Sequence, residues 1–280
     1  GAANGNFLRE IDHYLAMWDY CMGREYKGAS AEQVEKAMND PDMSETLRIP
    51  LFLIMYANLS DRDHALTQGE ILHLYFSERR KNMVLYPMSG RFEDTEKDVS
   101  FSSNVQSRRV TTQMQNFMLD FVLPEIAWYM EREGRFHLPL RTIREYVRAV
   151  LFAQNDFNAR SEFGQEVFSQ YSSGRAGFST ESTAKAIREN FGSTENEVID
   201  RVIDCCTFSL GVLQRNDRYY RFAHQHIRDY FAAIKNINAL RLAVYMYSEN
   251  EHELALECMN SVLAEKPLGM TVRRFVGEVL

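Results

Sequence analysis

The sequence predicts a mainly α-helical protein of more than one domain, carrying one small β-hairpin. Three observations support this. Apolar residues recur every three or four positions along most of the 280 residues, the period of a helix with one buried face. Ser or Thr followed three residues later by Glu or Gln, the spacing of a capping box, recurs where such periodic stretches begin. The stretch "GVLQRNDRYYRF" (211–222) reads instead as strand, turn and strand around Asn216 and Asp217.

In "FLREIDHYLAMWDYCM" (7–22) the residues Phe7, Ile11, Leu15, Trp18 and Met22 form one apolar stripe, so a core-facing helix is expected. "SAEQVEKAMND" opens with Ser30 and Gln33 at capping-box spacing, and Pro41 stops it. "SETLRIPLFLIMYANLS" places Pro50 in the first turn of an almost wholly apolar helix, where a missing N–H is harmless. A helix from Thr67, an N-cap residue, ends in Arg79, Arg80 and Lys81, charges that suit a helix C-terminus. Residues 87–107 are polar and aperiodic, which predicts a mobile surface loop.

From residue 113 the pattern gives a helix interrupted or restarted near Pro124 and closed by Gly134. A short β-like "RFHLP" follows, then the helix "LRTIREYVRAVL" (140–151). An insertion is expected near 155–177. Two helices with capping signals come next, then the hairpin. Helices followed by a two-stranded hairpin make a winged-helix order, with the hairpin as the wing. Beyond Ala233 two more amphipathic helices flank "SENEH", and a third opens at "MTVRRFVGEVL". The expected architecture is therefore a helical domain (1–110), a winged-helix domain (111–235) and the start of a C-terminal helical region (236–280), possible first turns of a solenoid.

Composition removes several function classes. With 45% hydrophobic residues the chain can fill a core. No window approaches eighteen uncharged apolar residues, and the opening "GAANGNFLRE" lacks the regions of a secretory signal, so no membrane span and a cytoplasmic setting are expected. That opening reads as the edge of a longer chain. Four cysteines show neither CxxC spacing nor zinc-like clustering; the neighbours Cys205 and Cys206 read as a redox couple or, more plainly, as two small residues in a buried helix. A net charge of −7 argues against a strong polyanion binder, and the helix "STENEVIDRVIDCC" (193–206), which would read DNA in a winged helix, carries Glu195, Glu197, Asp200 and Asp204 against Arg201. Solvated helix ends and loop charges account for Arg79 to Lys81 and for Arg108 and Arg109.

Chemistry concentrates in "YYRFAHQHIRDYFAA" (219–233). His224 and His226 face alike on a strand but diverge on a helix, and no third metal ligand lies nearby in sequence. His224, Arg228 and Asp229 lack a companion nucleophile, glycine-rich loop or oxyanion signature. A helix starting at Gln225 puts Ile227, Tyr230, Phe231 and Ile234 on a buried stripe, while His224 and Arg228 share another face near a helix N-terminus that favours anions. His224 then either donates to a phosphate, or caps the helix or packs under the wing.

"RFAHQHIRDYFAA" resembles the Phe-x-His-x-x-x-Gln-Glu-Phe/Tyr-Phe/Leu-Ala-Ala pattern that closes the winged-helix domain of NACHT-type STAND NTPases, the switch ATPases of innate-immune and related signalling. Phe222, His224, Tyr230, Phe231, Ala232 and Ala233 match, with Arg228 and Asp229 in place of Gln-Glu. "LRIPLFLIMYANL" is similar to the family's apolar Pro-Leu helix, and "LTQGEILHLYFSERR" to the helix after it; Ile49 stands where the family has a small or polar residue. The resemblance implies that Pro50 lines the adenine and ribose side of a nucleotide and that His224 contacts the β-phosphate of ADP in the closed state. With Arg228 beside it, these are the nucleotide-sensing candidates.

No GxxxxGK[ST] occurs, nor a strand followed by paired acidic residues for magnesium. The chain by itself is therefore expected not to be an enzyme and to hold no cofactor. The resemblance implies a parent protein with ADP or ATP and Mg in an N-terminal nucleotide-binding domain, a partner of this chain, and self-association on activation. The competing expectations are a winged-helix transcription regulator, for which nucleic-acid contact is disfavoured by charge, and a ligand-free helical scaffold.

Overall fold

The computed structural model describes residues 31–59, 65–82, 115–152, 185, 187–189, 191–263 and 268–280. The helix expected over 7–22, Ser30 of the proposed capping box, the loop at 87–107, Arg108 and Arg109, and the insertion at 155–177 lie outside these residues. The chain divides into two compact units, Gly1–Lys81 with Val279, and Asn82–Glu278 with Leu280. Both are mainly helical.

The first unit contains α1 (Ala31–Met38), α2 (Pro41–Leu47), α3 (Pro50–Ala57) and α4 (Gln68–Asn82). Pro41 does more than end α1. Asp40, in extended conformation, accepts a hydrogen bond from the Asp42 N–H at 2.9 Å and caps α2, with Pro41 in the first turn where its fixed φ suits a helix. Pro50 starts α3 in the same way, after Ile49, and Phe52, Leu53, Met55 and Ala57 of that helix are buried. At the head of α4, Thr67 Oγ1 accepts from the Glu70 N–H at 3.2 Å, and Glu70 Oε2 accepts from the Thr67 N–H at 2.9 Å. This reciprocal pair satisfies two donors that a helix start leaves open.

The second unit opens with a helix that is α-helical at 115–117, widens into a π-helical turn at Met118–Val122 and continues as α5 (Leu123–Arg132). The interruption expected near Pro124 is this wide turn. Proline has no N–H for the carbonyl four residues back, and the Asp120 carbonyl accepts from Asn238 Nδ2 instead, at 3.5 Å. Gly134, at φ +63, ends the helix, and the Arg135 N–H returns to the Met130 carbonyl at 2.8 Å. That left-handed closure is the one glycine favours.

β1 (Leu138–Pro139) and α6 (Leu140–Phe152) follow, then α7 (Glu195–Asp204), a π-helical turn at Cys205–Ser209, β2 (Leu213–Asn216) and β3 (Tyr219–Phe222). Among the described residues these strands form one antiparallel sheet of order β1-β3-β2, with Leu138 opposite Tyr220 and Leu213 opposite Phe222. Asp217, at φ +51, supplies the tight turn of the hairpin. Thr194 and Glu197 cap α7 as a full capping box. Thr194→Ala removes its hydroxyl acceptor and is expected to cost about 1 kcal/mol, read as a lower urea midpoint with an unchanged m-value.

α8 (Gln225–Ser248), α9 (His252–Leu263) and α10 (Met270–Val279) complete the chain. The sequence reading ended one helix near Ala233 and began another. Instead α8 is continuous for 24 residues. Neither Pro nor Gly interrupts it, and buried Asn236, a poor helix former, donates Nδ2 to the Ala232 carbonyl at 2.7 Å, so its amide is satisfied inside the helix. The long helix packs along α5 and forms a hairpin with α9. Its apolar side, including Ile227, Tyr230, Phe231 and Ile237, is buried, as are Leu119, Leu123, Ile126 and Met130 before and along α5.

Candidate functional site

The strand β3 ends at Phe222, and one residue later the backbone turns into α8. Ala223 donates its N–H to the Val212 carbonyl at 2.8 Å, fixing the exit from the hairpin. His224 is the N-cap, with extended backbone at φ −147 and ψ 149, and its Nδ1 accepts from the His226 N–H at 3.2 Å. Of the readings open from sequence, the capping role is therefore present. The residue is partly buried rather than sealed in the core.

Because Nδ1 of His224 is an acceptor, its neutral ring carries the proton on Nε2. The Nδ1 atoms of His224 and His226 are 3.2 Å apart, a contact whose donor is set by the tautomers of the two rings. The imidazoles stack with centroids 5.0 Å apart and an interplanar angle of 12°. Two histidines at i and i+2 diverge on a helix, but an N-cap is not helical. Its extended backbone brings the rings together. Burial, the positive potential of His224 and that of Arg274 hold the His226 imidazole below its ordinary pKa. Among the described residues no group of three His, Cys, Asp or Glu side chains is placed to hold a metal ion.

Arg228, one turn into α8, is 7% exposed. Its Nε and one terminal nitrogen donate to Asp229 Oδ1 at 2.9 and 2.6 Å, the same nitrogen donates to Glu131 Oε2 at 3.2 Å, and the guanidinium lies 5.1 Å from the Phe136 ring centre. Asp229 is 2% exposed. Burial raises its pKa, and the charge and hydrogen bonds of Arg228, a hydrogen bond from Gln225 and the charge of His224 only partly offset that. Arg228 thus sits beside His224 in the first turn but is engaged by two carboxylates. Glu131 was not legible as part of this site, because it lies 97 residues away in sequence and nothing in its local pattern marks it. Pro50 is exposed at the front of α3 and belongs to the other compact unit.

Comparison with protein-family models, curated proteins and solved structures gave no match.

A second feature is a groove of about 570 Å³ between the start of α6 and the hairpin, lined by Arg141, Arg144, Arg148, Arg215 and Arg218. Its cations are largely matched. Arg144 meets Asp200 at 2.7 Å, Arg148 pairs with Glu195, and Arg141 meets Glu145 at 2.9 Å. The acidic outer side of α7 is therefore partly neutralised by α6. Burial and neighbouring Asp200 raise the pKa of Asp204, against the pull of Arg215. Cys205 and Cys206 are free thiols buried in the π-helical turn, and burial, then Cys205, push the Cys206 thiol well above its ordinary range, the behaviour of inert core cysteines. Among the described residues no helix is long and apolar enough to cross a membrane.

Proposed function

We propose that this chain is the regulatory arm, a helical domain and a winged-helix domain, of a NACHT-like signalling NTPase, sensing whether a separate nucleotide-binding domain holds ADP or ATP. The observation that carries the reading is the position of His224. It falls in the Phe222–Ala233 stretch that resembles the family motif, stands at the junction of hairpin and helix, and is only partly buried, with Nδ1 spent on the capping bond. A neutral imidazole spent as acceptor on one side remains a donor on the other. The N-terminus of a 24-residue helix adds the partial positive charge that favours an anion.

The order helix, short strand, helix, helix, hairpin, with the sheet order β1-β3-β2, supports the winged-helix assignment. In this reading His224 contacts ADP held by the separate nucleotide-binding domain, and exchange for ATP frees the arm to rotate and the protein to self-associate. The switch works because the two nucleotides make different contacts with the two arrangements. A DNA-reading role is disfavoured, since the exposed face of α7 carries Glu195, Glu197 and Asp200, of which Arg148 and Arg144 offset only Glu195 and Asp200 and leave no excess of cations on α7 itself.

The capping role of His224 sets the test. In the protein that carries this arm together with a P-loop domain, His224→Ala removes both cap and imidazole, whereas His224→Asn keeps a good cap and removes the imidazole. Both variants are expected to weaken ADP binding about tenfold, roughly 1.4 kcal/mol, with basal activation raised. If the asparagine variant binds ADP as the parent does, the histidine is a helix cap alone and the switch reading fails.

A further inference from the structure

The last helix, α10, meets the end of α5 through Gly269 and the N-terminal turn of α8 through Phe275. Gly269, its N-cap, donates its N–H to Glu131 Oε1 at 3.0 Å, so one carboxylate holds Arg228 with one oxygen and the head of α10 with the other. The approach is close. A Cβ on Gly269 would meet Glu131 Oε1 at 2.5 Å. Six residues on, Phe275 is fully buried, with its ring 6.3 Å from that of His226, and Arg274 lies 5.3 Å from the same Phe275 ring.

From this arrangement we infer that α10 is an acid-released latch: protonation of His226, which stacks on His224 beneath α10, frees it from the head of α8. The reasoning follows from where the His226 ring sits, at the head of α8 and against Phe275 of α10. A proton on His226 would place a cation at a helix N-terminus, where the macrodipole opposes it.

Among the described groups near His226, the balance stands against its charge. On α8, Asp229 is engaged by Arg228; from α5, Glu131 is divided between Arg228 and Gly269; from α10, Arg274 adds a positive charge and is itself 3.5 Å from Glu278. The imidazole most directly under α10 is thus the one whose charging the closed form resists. The sign follows from linkage. A histidine whose pKa is lowered in the closed form binds fewer protons there, so stability of the closed form is full above the ordinary value of 6.5 and is lost as pH falls below it. The inference is independent of any nucleotide role for His224.

Hydrogen exchange of this chain, corrected for the intrinsic pH dependence of exchange, tests it at pH 7.5 and 5.5. Residues 270–279 are expected to exchange several-fold faster at the lower pH, with α7 and the second half of α8 unchanged. His226→Phe keeps an aromatic ring against Phe275 that cannot charge, and is expected to abolish the difference; His226→Gln serves the same purpose should the larger ring perturb folding. Gly269→Ala, which crowds Glu131, is expected to speed exchange at both pH values. Equal protection of 270–279 at the two pH values in the unsubstituted chain overturns the latch. So does a pH effect that survives in both His226 variants, or one shared equally with α7, since that is general acid unfolding.

Discussion

Arg228→Ala is expected to cost about 3–5 kcal/mol of the stability of the second unit, the range for removing one partner of a buried ion pair. The magnitude comes from what is left behind. Asp229 is 2% exposed and loses its principal partner, while Glu131 loses one of the two groups it bridges. The pH dependence identifies the mechanism. Asp229 already has a raised pKa, and without Arg228 burial acts unopposed by that charge, raising it further. A carboxyl whose folded-state pKa is raised binds more protons when folded, so the variant should regain stability as pH falls from 7 towards its unfolded value. Urea denaturation at several pH values measures this. Replacing both partners, Arg228→Met with Asp229→Leu, should be much less harmful than the single change, because no charge is stranded. A single variant whose loss is the same at pH 5 and pH 7 would place the damage in packing rather than in the stranded carboxylate.

Phe231→Ala is expected to cost about 3–5 kcal/mol, as for other buried phenylalanines. Phe231 is 0% exposed; its ring centre lies 6.1 Å from that of Phe222 on β3 and 5.3 Å, edge to face, from that of Tyr230. Phe222 and Phe231 thus join the end of the hairpin to the second turn of α8, with His224 at the bend between them. The truncation removes transfer energy and leaves a void that the continuous backbone of α8 cannot readily close. Circular dichroism against urea should show an earlier transition. Phe231→Leu, which fills more of the space, should recover a large part of the loss. If alanine at 231 leaves the midpoint unmoved, the ring does not anchor the hairpin.

Much of the local structure was legible because its causes lie within a few residues. Thr67 with Glu70, Thr194 with Glu197, Pro50 in a first turn and Gly134 at a helix end each act over one turn of chain, and the hairpin follows from alternation around Asp217. The buried stripe of Ile227, Tyr230, Phe231 and Ile234 was likewise readable, since its spacing is that of a single helix face. The site was readable only in part. His224 stood out as a histidine at a strand-to-helix junction, but its stacking on His226 depends on the extended backbone of a cap, and local spacing alone pointed the other way.

The sequence by itself determined the helical character of the chain, the starts of several helices, the hairpin and the junction at which His224 stands, because propensity, capping and periodicity act between neighbours. Tertiary structure decided the rest. It engaged Arg228 with Asp229 and with Glu131, 97 residues earlier, carried α8 unbroken past Ala233, and set Phe275 against His226. These outcomes depend on which surfaces meet when α5, α8 and α10 pack, and a buried charge or a half-covered imidazole acquires its protonation and its partners only in that packed environment.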